Sequence, residues 1–279
     1  MKKILIAVDP LHLNQNTMAF GCYLARLTRS RITGVFFENL EADKEAVVTE
    51  EYDATYVEYK IDENAETFRK KMQSINNEIR TFKTYFENHG IVSCIHEDKG
   101  VPAAEVIAET RYADVMIIDA EAGFTGQHHA VPGSFARKMM AASECPVIIA
   151  PLHFEGINEI VFAYNGTRSC MYAIKQFAAL FPQYHELKAT ILEVSPPDEP
   201  PAMHADKFKE WLETRFSNIH FVFLSGRTET ELLSYLIEKE KSFIVLGAYG
   251  RNALSNFLRH STADTVVKIT SQPVFIAHQ

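Results

Sequence analysis

The chain has 279 residues, with 28 Lys and Arg against 36 Asp and Glu, a formal net charge of −8. That length predicts two domains of ordinary size, each burying its own core, and 47% hydrophobic with 23% charged residues excludes a disordered or fibrous chain. The acidic balance excludes a general nucleic-acid binder, which needs a basic surface for phosphates, and no apolar run reaches the roughly 18 residues of a membrane span.

In chain order, Met1-Lys-Lys-Ile-Leu-Ile-Ala-Val-Asp9 is charged too early for a secretory leader and reads as a buried strand ending in an acid. Further strands are expected near 32–37, 91–96, 114–119 and 146–150, with helices near 15–30, 64–88, 102–110 and 134–142. The 64–88 helix is well marked, because Phe68, Met72, Ile75, Ile79, Phe82 and Phe86 recur at three- and four-residue steps. Residues 38–66 hold eleven acids against two lysines. That run reads as a solvated, partly mobile insertion, the alternative being a docking surface for a protein partner. The second half predicts strands near 159–164, 188–194, 219–224, 243–247 and 273–277. Short β-branched runs alternating with helical patterns are the mark of parallel βαβ units.

The halves repeat. Ile4–Asp9 matches Ile160–Asn165 at an offset of 156 residues, and Pro146 matches Pro273 at an offset of 127. The difference of 29 residues falls where the acidic insertion lies. Two α/β units in tandem are therefore expected, residues 1–153 with an acidic and helical insertion near 39–88, and residues 154–279. In such sheets ligands sit at the carboxyl ends of the strands, where strand order reverses. Asp9 should therefore stand beside Gly123, and Asn165 beside Gly250.

Those positions carry a duplicated motif. The first copy runs Ala120-Glu-Ala-Gly123, nine residues, Gly133-Ser134; the second runs Gly247-Ala-Tyr-Gly250, nine residues, His260-Ser261. Glycines allow close backbone approach to a phosphate and positive φ, and a following helix start offers unpaired N–H groups. Each copy has lost a different glycine: Ala120 adds a methyl, while His260 is harder to accommodate if positive φ is needed. Asn165 replaces the first half's carboxylate.

The strand ending in Asp9, the Gly-x2-Gly-x9-Gly-Ser frame and the closing Cys145-Pro-Val-Ile-Ile and Gln272-Pro-Val-Phe-Ile strands together resemble the universal stress protein family, in its tandem, UspA-like form. The resemblance spans the chain outside residues 39–63. It implies two adenine-nucleotide-alpha-hydrolase-like (Rossmann-like) domains, each a five-stranded parallel sheet in 3-2-1-4-5 order flanked by helices. It also implies an internal pseudo-dimer through the last strands, with a homodimer as a further assembly. The family's members include binders of ATP or AMP and others that bind neither. Carried over, Asp9 would meet the adenosine, the backbone near Val35 or Phe36 would border the adenine, and Ala120, Gly123, Gly133 and Ser134 would hold phosphates. Asn165, Val194, Gly247, Gly250, His260, Ser261 and Thr262 occupy the matching places in the second half.

Asp119 and Glu121 could hold a magnesium ion carried with ATP, while His128-His129 reads as solvated rather than as a metal pair. The cysteines Cys22, Cys94, Cys145 and Cys170 have no CxxC spacing and are expected to be reduced core residues in a cytoplasm. Trp211 with Phe208, Leu212 and Phe216 has helical spacing and reads as core. No Walker-type Gly-Lys-Ser/Thr or nucleophile elbow is present, so the reading is a non-catalytic adenine-nucleotide binder acting in stress response. A ligand-independent interaction module and a weak nucleotide hydrolase are the alternatives.

Overall fold

The computed structural model describes residues 1–10, 12–38, 45–51, 54–60, 65–99, 102–122, 131–197, 205–247 and 262–277. The first half carries β1 (Lys3–Val8), α1 (Gln15–Thr28), β2 (Arg31–Glu38), β3 (Glu45–Glu51), β4 (Ala54–Lys60), α2 (Glu66–Asn88), β5 (Ser93–Lys99), α3 (Pro102–Thr110), β6 (Val115–Ile118), α4 (Ser134–Ala142) and β7 (Val147–Ile149). The second carries β8 (Glu159–Tyr164), α5 (Arg168–Leu180), β9 (Lys188–Ser195), α6 (Ala205–Glu213), β10 (Asn218–Ser225), α7 (Thr228–Ile237), β11 (Ser242–Gly247), α8 (Thr262–Ile269) and β12 (Val274–Ala277).

Strand order is β10-β9-β8-β11-β12-β7-β6-β1-β2-β5, a single ten-stranded sheet. Each half runs third, second, first, fourth, fifth, as expected, and every pairing of this sheet within a half is parallel. The halves meet where β7 pairs antiparallel with β12, Ile148 opposite Phe275. The inner strands are covered on both faces, so they read as unbroken apolar runs rather than as alternation. In β1 every residue from Ile4 to Val8 is buried.

Two apolar layers flank the sheet. On one face α1, α2, α5 and α6 pack through Phe20, Leu24, Phe82, Phe86, Phe177 and Leu212. On the other α3, α4, α7 and α8 pack through Val106, Met139, Leu236 and Val266. The first layer is an aromatic mass that crosses between the halves. Phe20 of α1 meets Phe154 edge-on at 5.1 Å and Phe243 of β11 at 5.9 Å, and the Tyr184 hydroxyl bonds that of Tyr23 at 3.1 Å. Such ring pairs add specific geometry to area burial. Phe208, Leu212 and Phe216 are core, with Trp211 packed against them.

One expectation is corrected and one is filled in. Within the acidic insertion β3 and β4 pair antiparallel from Glu45↔Lys60 to Glu51↔Ala54. Its β-branched and aromatic residues, Val47, Val48, Tyr56, Val57 and Tyr59, supply the strand propensity that the acids obscure. Cys22, Cys145 and Cys170 are buried, but Cys94 on the edge strand β5 is exposed.

A polar lock lies at the start of β8. Glu159 Oε1 accepts from Thr190 Oγ1 at 2.6 Å and meets Lys188 Nζ at 2.9 Å, and Oε2 accepts from Lys239 Nζ at 3.0 Å. Burial pushes the Glu159 carboxyl up, but the bonds from Thr190, Lys188 and Lys239 outweigh it and hold it below the usual carboxylate range. A depressed folded-state value stabilises above the unfolded pKa of about 4.3 and loses that contribution as pH falls through the folded value. Glu159→Gln should therefore cost roughly 1–3 kcal/mol in urea unfolding at neutral pH, and the gap to the parent chain should narrow below about pH 4.

Candidate functional site

The reversal of strand order puts β1 beside β6 and β8 beside β11, so a crevice lies at the carboxyl end of each pair. In the first half β1 ends at Val8 and hands on to Asp9, while β6 ends at Ile118 and hands on to Asp119 and Ala120. The Asp9 side chain is 11% exposed, and its Oδ2 lies 3.7 Å from His12 Nδ1. Asp119 Oδ1 accepts from the Glu121 N–H at 2.9 Å, and its Oδ2 accepts from Asn14 Nδ2. Asn14 caps α1 with its other amide atom, accepting from the N–H groups of Asn16 and Thr17. Asp119 thus ties the end of β6 to the start of α1. No group of three or more metal-binding side chains occurs among the described residues.

Next to Ala120 stands the start of α4. The Gly133 N–H donates to the Ala120 carbonyl at 2.8 Å, and Gly133 caps the helix with φ −64° and ψ 164°. That is ordinary extended backbone, so positive φ is not what this glycine supplies. Closeness is, since a Cβ here would stand 3.1 Å from the Ala122 carbonyl oxygen. Ala120 is buried and does not have positive φ, so its methyl is tolerated. Helix α4 has no side-chain cap and no acid in its first turn, leaving N–H groups and the positive dipole end for an anion.

The second half differs. Asn165 Oδ1 accepts from the Thr167 N–H at 3.2 Å, Thr167 Oγ1 at 2.7 Å and Cys170 Sγ at 2.9 Å, so the amide oxygen serves the start of α5. Burial pushes the Cys170 thiol up, which fits a structural thiol rather than a nucleophile. Gly247 ends β11 against the first turn of α5, where a Cβ would lie 2.6 Å from both Cys170 Cα and Cys170 N. Helix α8 carries Asp264 in its first turn, where the carboxylate is paired with Arg137 of α4 at 2.8 Å. The connections differ too. Asn165 stands two positions before its helix cap Thr167, and Asp9 stands five before Asn14.

The second-strand positions shift. Ala7 is level with Val35, Val8 with Phe36 and Tyr164 with Glu193. The residue level with Asp9 is therefore Phe37, just as Val194 is level with Asn165. Val35 and Phe36 lie one or two places back inside the ladder between β1 and β5. Val35 is buried in one layer, and Phe36 packs edge-on against Phe82 at 5.4 Å in the other. Of the remaining motif residues, Gly123, Gly250, His260 and Ser261 lie outside the described residues, as do His128 and His129. Thr262 opens α8, and Ser134 opens α4.

No protein-family model matches the chain. Among curated proteins, universal stress protein Slr1230 of Synechocystis sp. is 25% identical over 144 residues, which are 51% of this chain and 50% of that one. The chain thus spans about half the length of the curated relative it matches. Among solved structures, a universal stress protein from Archaeoglobus fulgidus superposes with a TM-score of 0.67 at 17% identity, over 99% of this chain and 98% of that one. A provisional universal stress protein from Pseudomonas aeruginosa gives 0.56 at 13% identity, over 100% and 93%. These two similarities establish the fold.

The contact between Gly247 and α5 is backbone to backbone, so no side chain can rotate away from an added methyl. Gly247→Ala should lower unfolding stability by about 1–3 kcal/mol in urea, whereas Ala120→Gly, at the matching place, should shift it by no more than about 1 kcal/mol. Equal effects at the two sites would refute this packing account.

Proposed function

We propose that this chain, a universal stress protein fold in tandem, is a stress-response protein that holds an adenine nucleotide, ATP or AMP, without catalysis. In this reading its two units are residues 1–153 and 154–279, and it works in the cytoplasm. The nucleotide lies in the first-half crevice. One observation carries the choice of half: α4 starts next to Ala120 at the end of β6 with no capping side chain and no first-turn acid, so its N–H groups and positive dipole end attract phosphate. In the second half the Asn165 amide oxygen is already bound into the start of α5.

The chemistry is that of binding. Asp9 accepts hydrogen bonds from a ribose diol, and the Ser134 hydroxyl adds a donor to the N–H groups of α4. The Gly133 approach keeps the phosphates close to backbone. No described helix is long and apolar enough to cross a membrane.

Calorimetry with ATP, ADP and AMP tests the reading. The full chain should bind at least one of them. Asp9→Ala and Ser134→Asp should each weaken binding about tenfold or more, the equivalent of a lost charge-assisted hydrogen bond. Absence of binding by all three nucleotides would sink the proposal and leave an interaction module, in which case deletion of residues 40–62 should release a partner. If Asn165→Ala removes binding and Asp9→Ala does not, the site belongs to the second half.

A further inference from the structure

The 127-residue offset that takes Pro146 to Pro273 also takes β7 onto β12, Val147-Ile-Ile149 onto Val274-Phe-Ile276. In the ladder Ile148 faces Phe275, its own counterpart in the repeat, and Val147 faces Ile276. A residue that meets its own counterpart lies on the axis relating the two units, so a pseudo-two-fold runs through Ile148 and Phe275. The same offset takes Arg137 of α4 to Asp264 of α8. These two also meet: Arg137 Nε donates to Asp264 Oδ2 at 2.8 Å, with side chains 36% and 14% exposed. A second axial pair therefore sits over the seam, and its members are opposite in charge.

We infer that Arg137 and Asp264 make this seam selective: the β7–α4 surface of a first half accepts a second half and rejects another first half. Around a true two-fold every axial residue meets itself. Pairing of two first halves would bring one guanidinium onto another, and pairing of two second halves one carboxylate onto another. Like charges so placed disfavour the wrong partner. The strands do not discriminate in this way, because Val147-Ile-Ile149 and Val274-Phe-Ile276 are equally apolar and a backbone ladder is blind to side chains. Tandem copies of one fold are prone to exchange halves between chains, and this pair opposes like-with-like exchange. A partly exposed ion pair adds little net stability, so its effect lies in what it excludes.

The test uses the full chain with Asp264→Asn, Asp264→Arg, Arg137→Asp and the combined Arg137→Asp/Asp264→Arg exchange. Neutralisation should lower the thermal midpoint by about 2 °C. Reversal at either site should lower it at least twice as far, and the combined exchange should restore it. The excess from reversal should shrink in high salt, as the Debye length contracts. The Asp264→Arg and Arg137→Asp chains are then refolded together at roughly 0.1 mM, within reach of the millimolar effective concentration of linked modules. Sedimentation should show a species of twice the chain mass that neither gives alone, since only between chains does each guanidinium meet a carboxylate. Reversal that costs no more than neutralisation would overturn the inference, as would a mixture that stays at single-chain mass.

Discussion

Each five-stranded unit ends in a short strand, β7 or β12, whose outer edge would carry unpaired N–H and C=O groups if it stood alone. Such an edge recruits other chains unless it is covered. Here the two edges cover one another through the antiparallel pairing of residues 147–149 with 274–276, and much of the molecule follows from that pairing. It brings α1 of one half to β11 of the other, so that Phe20, Phe154, Phe243 and Tyr184 build one aromatic layer rather than two. It also brings α4 against α8, which makes an ion pair at their crossing possible.

Much of this was legible in the sequence, for an identifiable reason. Strands buried on both faces appear as unbroken apolar runs, and Lys3–Val8, Glu159–Tyr164 and their neighbours fall within a few residues of the expected bounds. The strand hairpin at 45–60 was less legible, because its acids dominate the composition and conceal a pairing that its β-branched and aromatic residues support. The level of β2 against Asp9 was hidden by the same continuity that revealed the strand. In the run from Ile32 to Phe37 no period marks which residue draws level with the end of β1. Arg137 and Asp264 each look like an ordinary charge on a helix surface. Only their shared offset with Pro146 and Pro273 links them.

The two crevices have taken different routes from one plan. In the second, Gly247 and the short turn from Asn165 to Thr167 press α5 onto the end of β11, with the Asn165 amide oxygen bound into that turn. In the first, Ala120 stands where Gly247 does, and the run from Asp9 to the cap Asn14 is longer than that from Asn165 to Thr167. Asn14 then anchors α1 to Asp119 at the end of β6, a side-chain tie with no equivalent in the second half, where Leu246 takes that position. A glycine lost from the motif is thus matched by a change in the neighbouring connection, so a count of motif glycines alone misjudges either site.

The antiparallel seam has a geometrical result. The sheet strands within each half all point one way, and the halves are joined antiparallel, so their carboxyl ends lie at opposite ends of the sheet. The two mouths therefore look away from each other. A molecule docked over one leaves the other open, and a single ligand cannot bridge them. A change at one mouth reaches the other through the body of the sheet, the aromatic layer on one face and the Arg137–Asp264 pair on the other.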